Sequence, residues 1–345
     1  MLRTVVVGLG RIGWQFHLPE IDRHEGYTLT GVVDPLAERR DEALARYGAP
    51  AHDNLRDCLE QVEADLVVLA LPTTLHAEQA EVAFAAGCDV FCDKPMAPDL
   101  QAADRMIAAA EQYGRRLMVY QPERGGREVV CLQSILAQGL IGDVYLIKHT
   151  RTQYTRRNDW QAWREFGGGM LNNYGAHLID ACLHVAGSPA AQITCHLRTI
   201  ASLGDADDVV KVLIETESGV LLDIDINMAS AHPMQPRWHV VGTHGALILD
   251  DEADAWRARY FDPADLPPLA AQDGLAATDR RYGSGEKLPW QEATFDLKDV
   301  EAVDTYARAY SYFTGLGEPF VPLTESRELM RVLVACRADA VDNVK

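Results

Sequence analysis

The chain has 345 residues with a formal net charge of −19 at pH 7, and 48% of its residues are hydrophobic and 24% charged. This length predicts two domains rather than one, and so acidic a surface repels phosphates and disfavours nucleic-acid partners. No stretch approaches the roughly 20 apolar residues of a membrane helix, and the first apolar run is too short for a signal peptide, so we expect a cytoplasmic protein without a membrane partner.

The first part of the chain alternates short apolar runs with helical patterns, which is typical of βαβ units and a parallel sheet. The predicted strands cover residues 4–8, 28–33, 65–71, 89–92 and 117–120. The predicted helices cover residues 11–23, 36–47, 74–86 and 98–113. We expect Pro19 to kink or end the first helix. The pattern predicts an α/β fold class, with a doubly wound Rossmann domain over residues 1–121.

After residue 121 the pattern changes to strands that alternate polar and apolar side chains, which predicts an antiparallel sheet with one covered face. The predicted strands cover 144–151, 192–199, 209–216, 220–228 and 238–241, and the predicted helices cover 127–137 and 324–341. Residues 262–289 are rich in Pro, Gly, Asp and Ala and are expected to form a long loop. We assign residues 122–345 to this second domain.

The metal-binding residue types are scattered along the chain. None of the seven cysteines has CxxC spacing, and the histidines show no metal-ligand spacing. The sequence therefore predicts neither a disulfide framework nor a metal site.

A glycine-rich loop follows the first predicted strand and opens the first predicted helix. Gly8-Leu9-Gly10-Arg11-Ile12-Gly13 matches the pattern G-x-G-x-x-G. In a Rossmann domain these glycines allow a tight turn, a close approach to the pyrophosphate of a dinucleotide, and packing of the helix on the strand. The helix N-terminus then presents free N–H groups to the phosphates. The alternative is a plain strand-to-helix turn.

An acidic residue, Asp34, ends the second predicted strand. A carboxylate at this place accepts hydrogen bonds from the adenosine ribose and repels a 2′-phosphate, so we predict NAD as the cofactor, with NADP less favoured. Arg39 and Arg40 would favour NADP, but we expect them to pair with Asp41, Glu42 or solvent.

Four further motifs follow in order. They are Leu71-Pro72-Thr73-Thr74-Leu75-His76, Asp93-Lys94-Pro95, Trp163-Arg164 before Gly167-Gly168-Gly169, and Gly175-Ala176-His177-Leu178-Ile179-Asp180. With the glycine loop they resemble the Gfo/Idh/MocA oxidoreductases, which include inositol and glucose-fructose dehydrogenase-like enzymes. The resemblance implies a Rossmann domain followed by an α/β domain with an open, mainly antiparallel sheet. It also implies a nicotinamide cofactor in the cleft between them and a homodimer or homotetramer formed through that sheet.

The resemblance implies a catalytic role for Lys94, beside the reacting hydroxyl, and for His177 as general base. Asp93 stands where the family usually has Glu, which keeps the charge on a shorter side chain. Asn173 is the main departure, because many polyol dehydrogenases of the family carry Asp there. An amide does not raise the pKa of an imidazole by charge, although it still hydrogen-bonds a substrate hydroxyl. A purely structural histidine is the alternative for His177.

The expected contacts form two sets. The predicted cofactor-binding residues are Gly8, Gly10, Arg11, Ile12, Gly13, Asp34, Pro72, Thr73, His76, Asp93, Lys94, Gln121, Trp163 and Arg164. The predicted substrate-binding residues are Lys94, Tyr154, Arg156, Asn158, Trp160, Asn173 and His177. The arginines of the stretch 151–160 would favour a carboxylated or phosphorylated sugar, and an ordinary solvated loop is the alternative.

These features favour an NAD-dependent dehydrogenase that acts on CH–OH groups of a small-molecule sugar, polyol or sugar acid. Two alternatives stay open. One is a hydrolase that keeps NAD bound and cleaves a glycosidic bond through transient oxidation. The other is a non-enzymatic, nucleotide-binding regulatory protein, against which the presence of both Lys94 and His177 argues, because a pure binder needs neither.

Overall fold

Two β-sheets organise the chain in the computed structural model, which describes residues 1–269 and 287–340. The first sheet has six strands and the second has eight. Most of the long loop predicted at 262–289 lies outside the described residues, and its first part contains a 3-10 turn at Pro263–Asp265. None of the helices in the described ranges is both long and apolar enough to span a membrane.

The first sheet is parallel throughout, with the strand order β3-β2-β1-β4-β5-β6. Its strands are β1 (Leu2–Val7), β2 (Tyr27–Val33), β3 (Ala51–His52), β4 (Leu66–Leu69), β5 (Asp89–Cys92) and β6 (Leu117–Val119). The helices between them are α1 (Leu18–Arg23), α2 (Ala37–Tyr47), α3 (Leu55–Gln61), α4 (His76–Ala85) and α5 (Leu100–Gln112). The strand order reverses between β1 and β4, where Rossmann folds bind nucleotides. The predicted fold class is confirmed.

Two short elements of this sheet were not predicted, the strand β3 and the helix α3. Helix α3 has seven residues and buries only Leu55 and Cys58, so its apolar periodicity is too brief to stand out. Asn54 precedes this helix and is a residue type that sequence analysis recognises as an N-cap. In the structure its side chain accepts a hydrogen bond from the Asp57 backbone N–H at 2.9 Å.

The helix predicted at 11–23 is helical throughout and continues past Pro19 to Arg23. Its irregularity lies before the proline, where Gly13–His17 form a π-turn. The regular α-helix restarts at Leu18, so Pro19 falls in a first turn, where its missing N–H leaves no hydrogen bond unmade.

The second sheet has the order β14-β13-β12-β11-β7-β10-β9-β8, and all its neighbours are antiparallel except β7 and β10. The strands are β7 (Val144–Thr152), β8 (Ala190–Arg198), β9 (Val209–Thr216), β10 (Leu221–Asn227), β11 (Trp238–Gly242), β12 (Gly245–Asp250), β13 (Ala255–Tyr260) and β14 (Gln291–Asp296). The sequence predicted five of them and missed β12, β13 and β14. The predicted open, mainly antiparallel sheet is confirmed.

Helices cover one face of the second sheet. The remaining helices are α6 (Arg127–Leu136), α7 (Ala176–Ala186), α8 (Thr305–Phe313) and α9 (Leu323–Asp339). Helix α7 packs on β7 and β10, and α9 packs on β8. Apolar and polar residues alternate along β9 because every second side chain faces these helices. Those side chains are Val210, Val212 and Ile214, and they are fully buried.

Helix α8, which was not predicted, returns from the far end of the chain to the first sheet. Tyr306 and Phe313 join Val6 and Phe91 in the core on one face of that sheet. The Tyr306 hydroxyl and the His17 Nδ1 are 2.6 Å apart and hydrogen-bonded. Residues distant in sequence therefore complete the core of the N-terminal sheet, and the domain boundary at residue 121 stays a prediction.

Candidate active site

The glycine loop joins β1 to the first helical turn at the point where the strand order reverses. Gly8 has φ +98°, and a Cβ there would lie 2.5 Å from the Ala70 carbonyl oxygen. A Cβ on Gly13 would lie 1.9 Å from the Gly8 carbonyl oxygen. A Cβ on Gly10 would meet no atom within 4 Å, so the structure leaves open space beside this position. Two of the glycines are therefore required by the protein's own packing, and Gly10 is required by neither packing nor backbone strain.

Asp34 is buried and binds the loop from the end of β2. Its Oδ2 accepts a hydrogen bond from the Leu9 N–H at 2.8 Å, and its Oδ1 accepts one from the Leu36 N–H at 3.0 Å. Arg39 Nη1 lies 3.2 Å from Oδ2. Arg40 Nη1 donates to the Asp34 carbonyl at 2.8 Å. The expectation that these arginines pair with other acids or solvent is wrong, because the first turn of α2 carries both back over the strand end.

The predicted cofactor residue His76 is packed between two loops of the first sheet. The ring is fully buried, with Nε2 3.0 Å from the Leu71 carbonyl oxygen. Nδ1 lies 3.2 Å from Cys92 Sγ and 3.1 Å from the Pro95 carbonyl oxygen. Burial lowers the pKa of His76, so the ring is neutral at pH 7. His76 thus ties the loop after β4 to the loop after β5, and its contact with a cofactor stays a prediction.

Lys94 follows β5 and reaches the start of α7. Its Nζ donates a hydrogen bond to the Asn173 carbonyl oxygen at 2.7 Å and lies 3.4 Å from Asn173 Oδ1. Burial lowers the pKa of Lys94, although the charges of Asp93 and Glu123 raise it. Asp93 Oδ1 accepts the backbone N–H of Lys94 at 2.8 Å and so fixes the turn after the strand. The main contact of Lys94 is to a backbone carbonyl, which Asn and Asp supply equally.

His177 lies at the start of α7, just after a π-turn over Leu171–Gly175. Burial, Lys94 and Arg151 together hold the pKa of His177 well below its usual value, so the ring is neutral at pH 7. Its Nδ1 is buried and has no hydrogen-bond partner among the described residues. The structure thus brings together Lys94, Asn173 and His177, as the sequence predicted, although their catalytic roles stay predictions.

Glu123 was missed by the sequence analysis. It follows β6, the neighbour of β5 in the parallel sheet. Burial raises the pKa of Glu123 to about 7, against the lowering effect of Lys94 and Arg151. Glu123, like Lys94, is a charged residue beyond the carboxyl end of a parallel strand, and this position is the sequence signal that could have found it.

A buried ion pair holds this turn against α7. Arg124 donates from Nε and Nη2 to the two carboxylate oxygens of Asp180, each at 2.6 Å, and both side chains are 2% exposed. Arg124 also contacts Glu325 of α9. Asp180 lies three residues after His177, so the pair fixes one face of the helix that carries the imidazole.

The glycine run Gly167-Gly168-Gly169 brings the second domain to the edge of the first sheet. A Cβ on Gly167 would lie 3.8 Å from Thr73 Cβ, in the loop after β4. Asn172 braces the run, because its Nδ2 donates to the Gly167 carbonyl at 2.8 Å and its Oδ1 accepts from Arg337. Asn172 therefore supports the turn that carries Asn173.

Several predicted residues lie outside the cluster. The exposed ones are Arg11, Pro72, Tyr154, Arg156, Asn158, Trp160, Trp163 and Arg164. Among the described residues, none of these eight has a hydrogen bond or ion pair to Lys94, Asn173 or His177. The exposed residues of the stretch 151–160 therefore stay predicted substrate contacts.

The residues present fit a dinucleotide on two independent observations. Open space adjoins Gly10, beside the start of a helix, where the first N–H groups lack intrahelical partners. Gln121 is 1% exposed, and neither atom of its amide has a partner in the part of the chain that the structure describes. A buried amide without partners carries a desolvation cost that a bound polar group would offset.

These features define a dinucleotide-binding oxidoreductase. Residues 2–121 match the Gfo/Idh/MocA oxidoreductase family with an NAD-binding Rossmann fold, and residues 129–248 match the C-terminal domain of that family. The chain belongs to the Gfo/Idh/MocA family.

Curated relatives and solved structures agree with this assignment. The chain is 30% identical to an inositol 2-dehydrogenase of Streptomyces avermitilis over 257 residues, which cover 73% of both chains. It is 26% identical to the NADP-dependent scyllo-inositol 2-dehydrogenase IolW of Bacillus subtilis over 265 residues, 74% of this chain and 72% of the relative. An NAD-binding protein from Listeria innocua has the same fold, with a TM-score of 0.82 and 23% identity over 99% of this chain and 96% of the other.

Proposed function

We propose that this protein is an NAD-dependent dehydrogenase that transfers a hydride between the nicotinamide and a CH–OH carbon of a sugar, polyol or sugar acid. The observation that carries the proposal is the contact between Lys94 Nζ and the Asn173 carbonyl. It joins a lysine at the nucleotide-binding edge of the first sheet to the turn that precedes His177. Two curated relatives named as inositol dehydrogenases support the same class of substrate.

The cofactor is held by this chain's own loop. The backbone of residues 8–13, the Asp34 carboxylate and the Gln121 amide are the groups that would bind it. Bound NAD supplies the hydride acceptor. We propose NAD rather than NADP because the Asp34 carboxylate repels a 2′-phosphate. Arg39 lies on the same carboxylate and is the residue that would favour NADP if it moved onto such a phosphate.

Lys94 binds the reacting oxygen in this proposal. Its side chain is partly buried, and burial lowers its pKa. A lysine with a lowered pKa shares its proton more readily with an oxygen on which negative charge develops. The Asn173 carbonyl, 2.7 Å from Nζ, keeps the ammonium directed toward the first turn of α7.

His177 and Glu123 receive the proton that the hydroxyl loses. His177 is neutral at pH 7 because its pKa lies well below the usual value, so it accepts a proton but holds it weakly. Glu123 has a pKa of about 7, which suits a group that retains the proton near neutral pH. The hydride leaves the carbon, the proton passes to His177 or to Glu123, whose charge acts on Lys94, and the hydroxyl becomes a carbonyl.

We also propose a homodimer or homotetramer formed through the open face of the second sheet. Leu213, Leu221 and Ile248 point away from the helices and are each 37–39% exposed. Strand register places Leu213 beside Asp223, which bonds Lys211 and lies 3.0 Å from Lys148. Apolar positions around a charged centre suit a self-complementary interface. We place the protein in the cytoplasm, because its seven unpaired cysteines suit a reducing compartment.

The proposed function is tested by incubating the protein with NAD or NADP and a panel of sugars, inositols and sugar acids while NADH or NADPH absorbance is followed. We expect turnover with NAD, and a loss of about 10²- to 10⁴-fold in kcat for Lys94→Ala. NADH binding by Lys94→Ala, measured by calorimetry, is the control for an intact cofactor site. An active Lys94→Ala enzyme would contradict the mechanism. Cleavage of a glycoside without net NADH would indicate the hydrolase, and binding of NADH without any turnover would indicate a regulatory protein.

A further inference from the structure

The three arginines at 151, 156 and 157 have different environments. Arg157 is neutralised by Asp159, whose two carboxylate oxygens lie 3.0 and 2.6 Å from its Nε and Nη2. Arg156 is exposed. Arg151 is partly buried and is the last but one residue of β7. Only Arg151 combines burial with the absence of a carboxylate within 4 Å in the described ranges.

Arg151 lies on the helix-covered face of the second sheet. Side chains alternate along β7, so Arg151 shares a face with the buried Ile147 and His149. Its partner on β10 is Ile226, which is fully buried on the same face. The charge therefore points into the layer between the sheet and α7, where a cation that is only partly neutralised is costly.

The guanidinium of Arg151 is stacked but not hydrogen-bonded. Its Cζ lies 4.8 Å from the centroid of the Tyr174 ring, and in the described part of the chain its side chain donates no hydrogen bond. Stacking fixes the plane of the guanidinium and leaves its N–H donors at the edge. That edge matches a carboxylate or phosphate, which accepts two parallel hydrogen bonds.

Arg151 belongs to the same cluster as the catalytic candidates. Tyr174 is the residue after Asn173, whose carbonyl binds Lys94, and it precedes His177 by three residues. The charges of Lys94 and Arg151 both act on the His177 imidazole. The nearby carboxyl group, Glu123, is half protonated near pH 7 and so neutralises these two cations only in part.

We propose that Arg151 binds an anionic group, a carboxylate or a phosphate, on the polyhydroxylated substrate, so that the enzyme acts on sugar acids or sugar phosphates in preference to neutral sugars. The inference rests on the proposed function, because it names the substrate class of the same site. The anion fixes one end of the substrate, and the hydroxyl to be oxidised lies at Lys94 and His177.

The test compares matched substrates in wild-type protein, Arg151→Gln and Arg151→Lys. Glucose, glucuronate and glucose 6-phosphate form one series, and inositol and inositol 1-phosphate form another. We expect wild-type kcat/KM to be higher for an anionic member, and Arg151→Gln to raise the KM of that member about 10- to 100-fold. The KM of the neutral member should change less than about threefold. Arg151→Lys should recover part of the loss, because lysine keeps the positive charge but lacks the two parallel N–H donors of the guanidinium. The two anions distinguish carboxylate from phosphate.

Arg308→Gln is the matched control, because Arg308 is also stacked on an aromatic ring, with its Cζ 5.9 Å from the Phe320 centroid, but on the exposed side of α8. It should leave both series unchanged. Equal losses for neutral and anionic members in Arg151→Gln would overturn the inference, as would weaker NADH binding in this variant, which would assign Arg151 to the cofactor phosphates.

Direct binding separates this inference from the proposed function. Calorimetry with glucuronate or glucose 6-phosphate, in the presence of NADH, needs no turnover. Binding that is lost in Arg151→Gln but kept in Arg308→Gln supports the anion site even if no compound is oxidised, in which case the dehydrogenase proposal alone fails. Should Arg151→Gln unfold below the assay temperature, Arg151→Lys carries the comparison. An absence of anion binding by the wild-type protein overturns the inference.

Discussion

The protein has two turns that look alike and for which we propose different functions. Each follows glycines, contains a π-turn and opens a helix, with Gly13–His17 at the edge of the first sheet and Leu171–Gly175 beside the second. The first turn offers backbone N–H groups and open space at Gly10. The second turn gathers side chains from the segments that follow β5 and β6, from β7 and from α7. A cofactor that is the same in every turnover can be bound by backbone, whereas a particular substrate needs side chains from several elements.

The largest expected effect concerns the second turn. Arg124→Met leaves the buried Asp180 without its partner, so we expect a loss of about 3–5 kcal/mol in the free energy of unfolding, measured by urea denaturation. Arg327→Met is the matched control, because its ion pair with Asp104 is 45–46% exposed and should contribute about 0–1 kcal/mol. Equal losses in the two variants would show that the second turn does not depend on this buried pair.

The first turn is tested by a pair of glycine substitutions. Gly13→Ala places a Cβ 1.9 Å from the Gly8 carbonyl oxygen, so we expect it to lower the free energy of unfolding by about 1–3 kcal/mol and to weaken NADH binding. Gly10→Ala meets no protein atom within 4 Å, so its melting temperature should match that of the wild-type protein while its NADH affinity falls about tenfold or more. Unchanged NADH affinity in Gly10→Ala would contradict a cofactor at this loop.

The smallest expected effect is a pH dependence of stability at the second turn. The pKa of Glu123 is raised from 4.5 to about 7 in the folded protein. The folded state therefore binds more protons than the unfolded state between these values, and stability falls as the pH rises through this window. A glutamine at position 123 does not titrate, so Glu123→Gln does not lose stability in this window. The free energy of unfolding of Glu123→Gln minus that of the wild type should therefore increase by on the order of 1 kcal/mol between pH 5.5 and pH 8.

Glu328→Gln is the control for that measurement. Burial raises the pKa of Glu328, but Arg331 lowers it further, so the pKa in the folded protein lies below its usual value. The effect of Glu328→Gln on the free energy of unfolding therefore changes only below pH 4.5 and should be constant between pH 5.5 and pH 8. Parallel stability curves for Glu123→Gln and wild type over this range would show that Glu123 titrates as an ordinary surface carboxyl group.

Sequence patterns predicted the elements that depend on neighbours along the chain. The strands β1, β2, β5 and β9 fall within a residue or two of their predicted bounds, because an apolar run between turn residues signals a buried strand. Helix α8 was missed although Tyr306, Ala309 and Phe313 recur at helical spacing. Its apolar face packs on Phe91, far away in sequence, and nothing local indicates which sheet it covers.

The sequence by itself determined the fold class, the glycine loop and the candidates Lys94, Asn173 and His177, because motifs of a few residues set the local turns and helix starts. Only the tertiary structure decided the rest. It turned Arg39 onto Asp34, buried His76 between two loops and brought Glu123 beside Lys94. It also gave Arg157 a carboxylate partner, whereas Arg151 has none within 4 Å among the residues that the structure describes. The physical reason is that the charge state and the partners of a side chain depend on its burial and on groups that lie far away along the chain. The residues next to it in sequence determine neither its burial nor those distant groups.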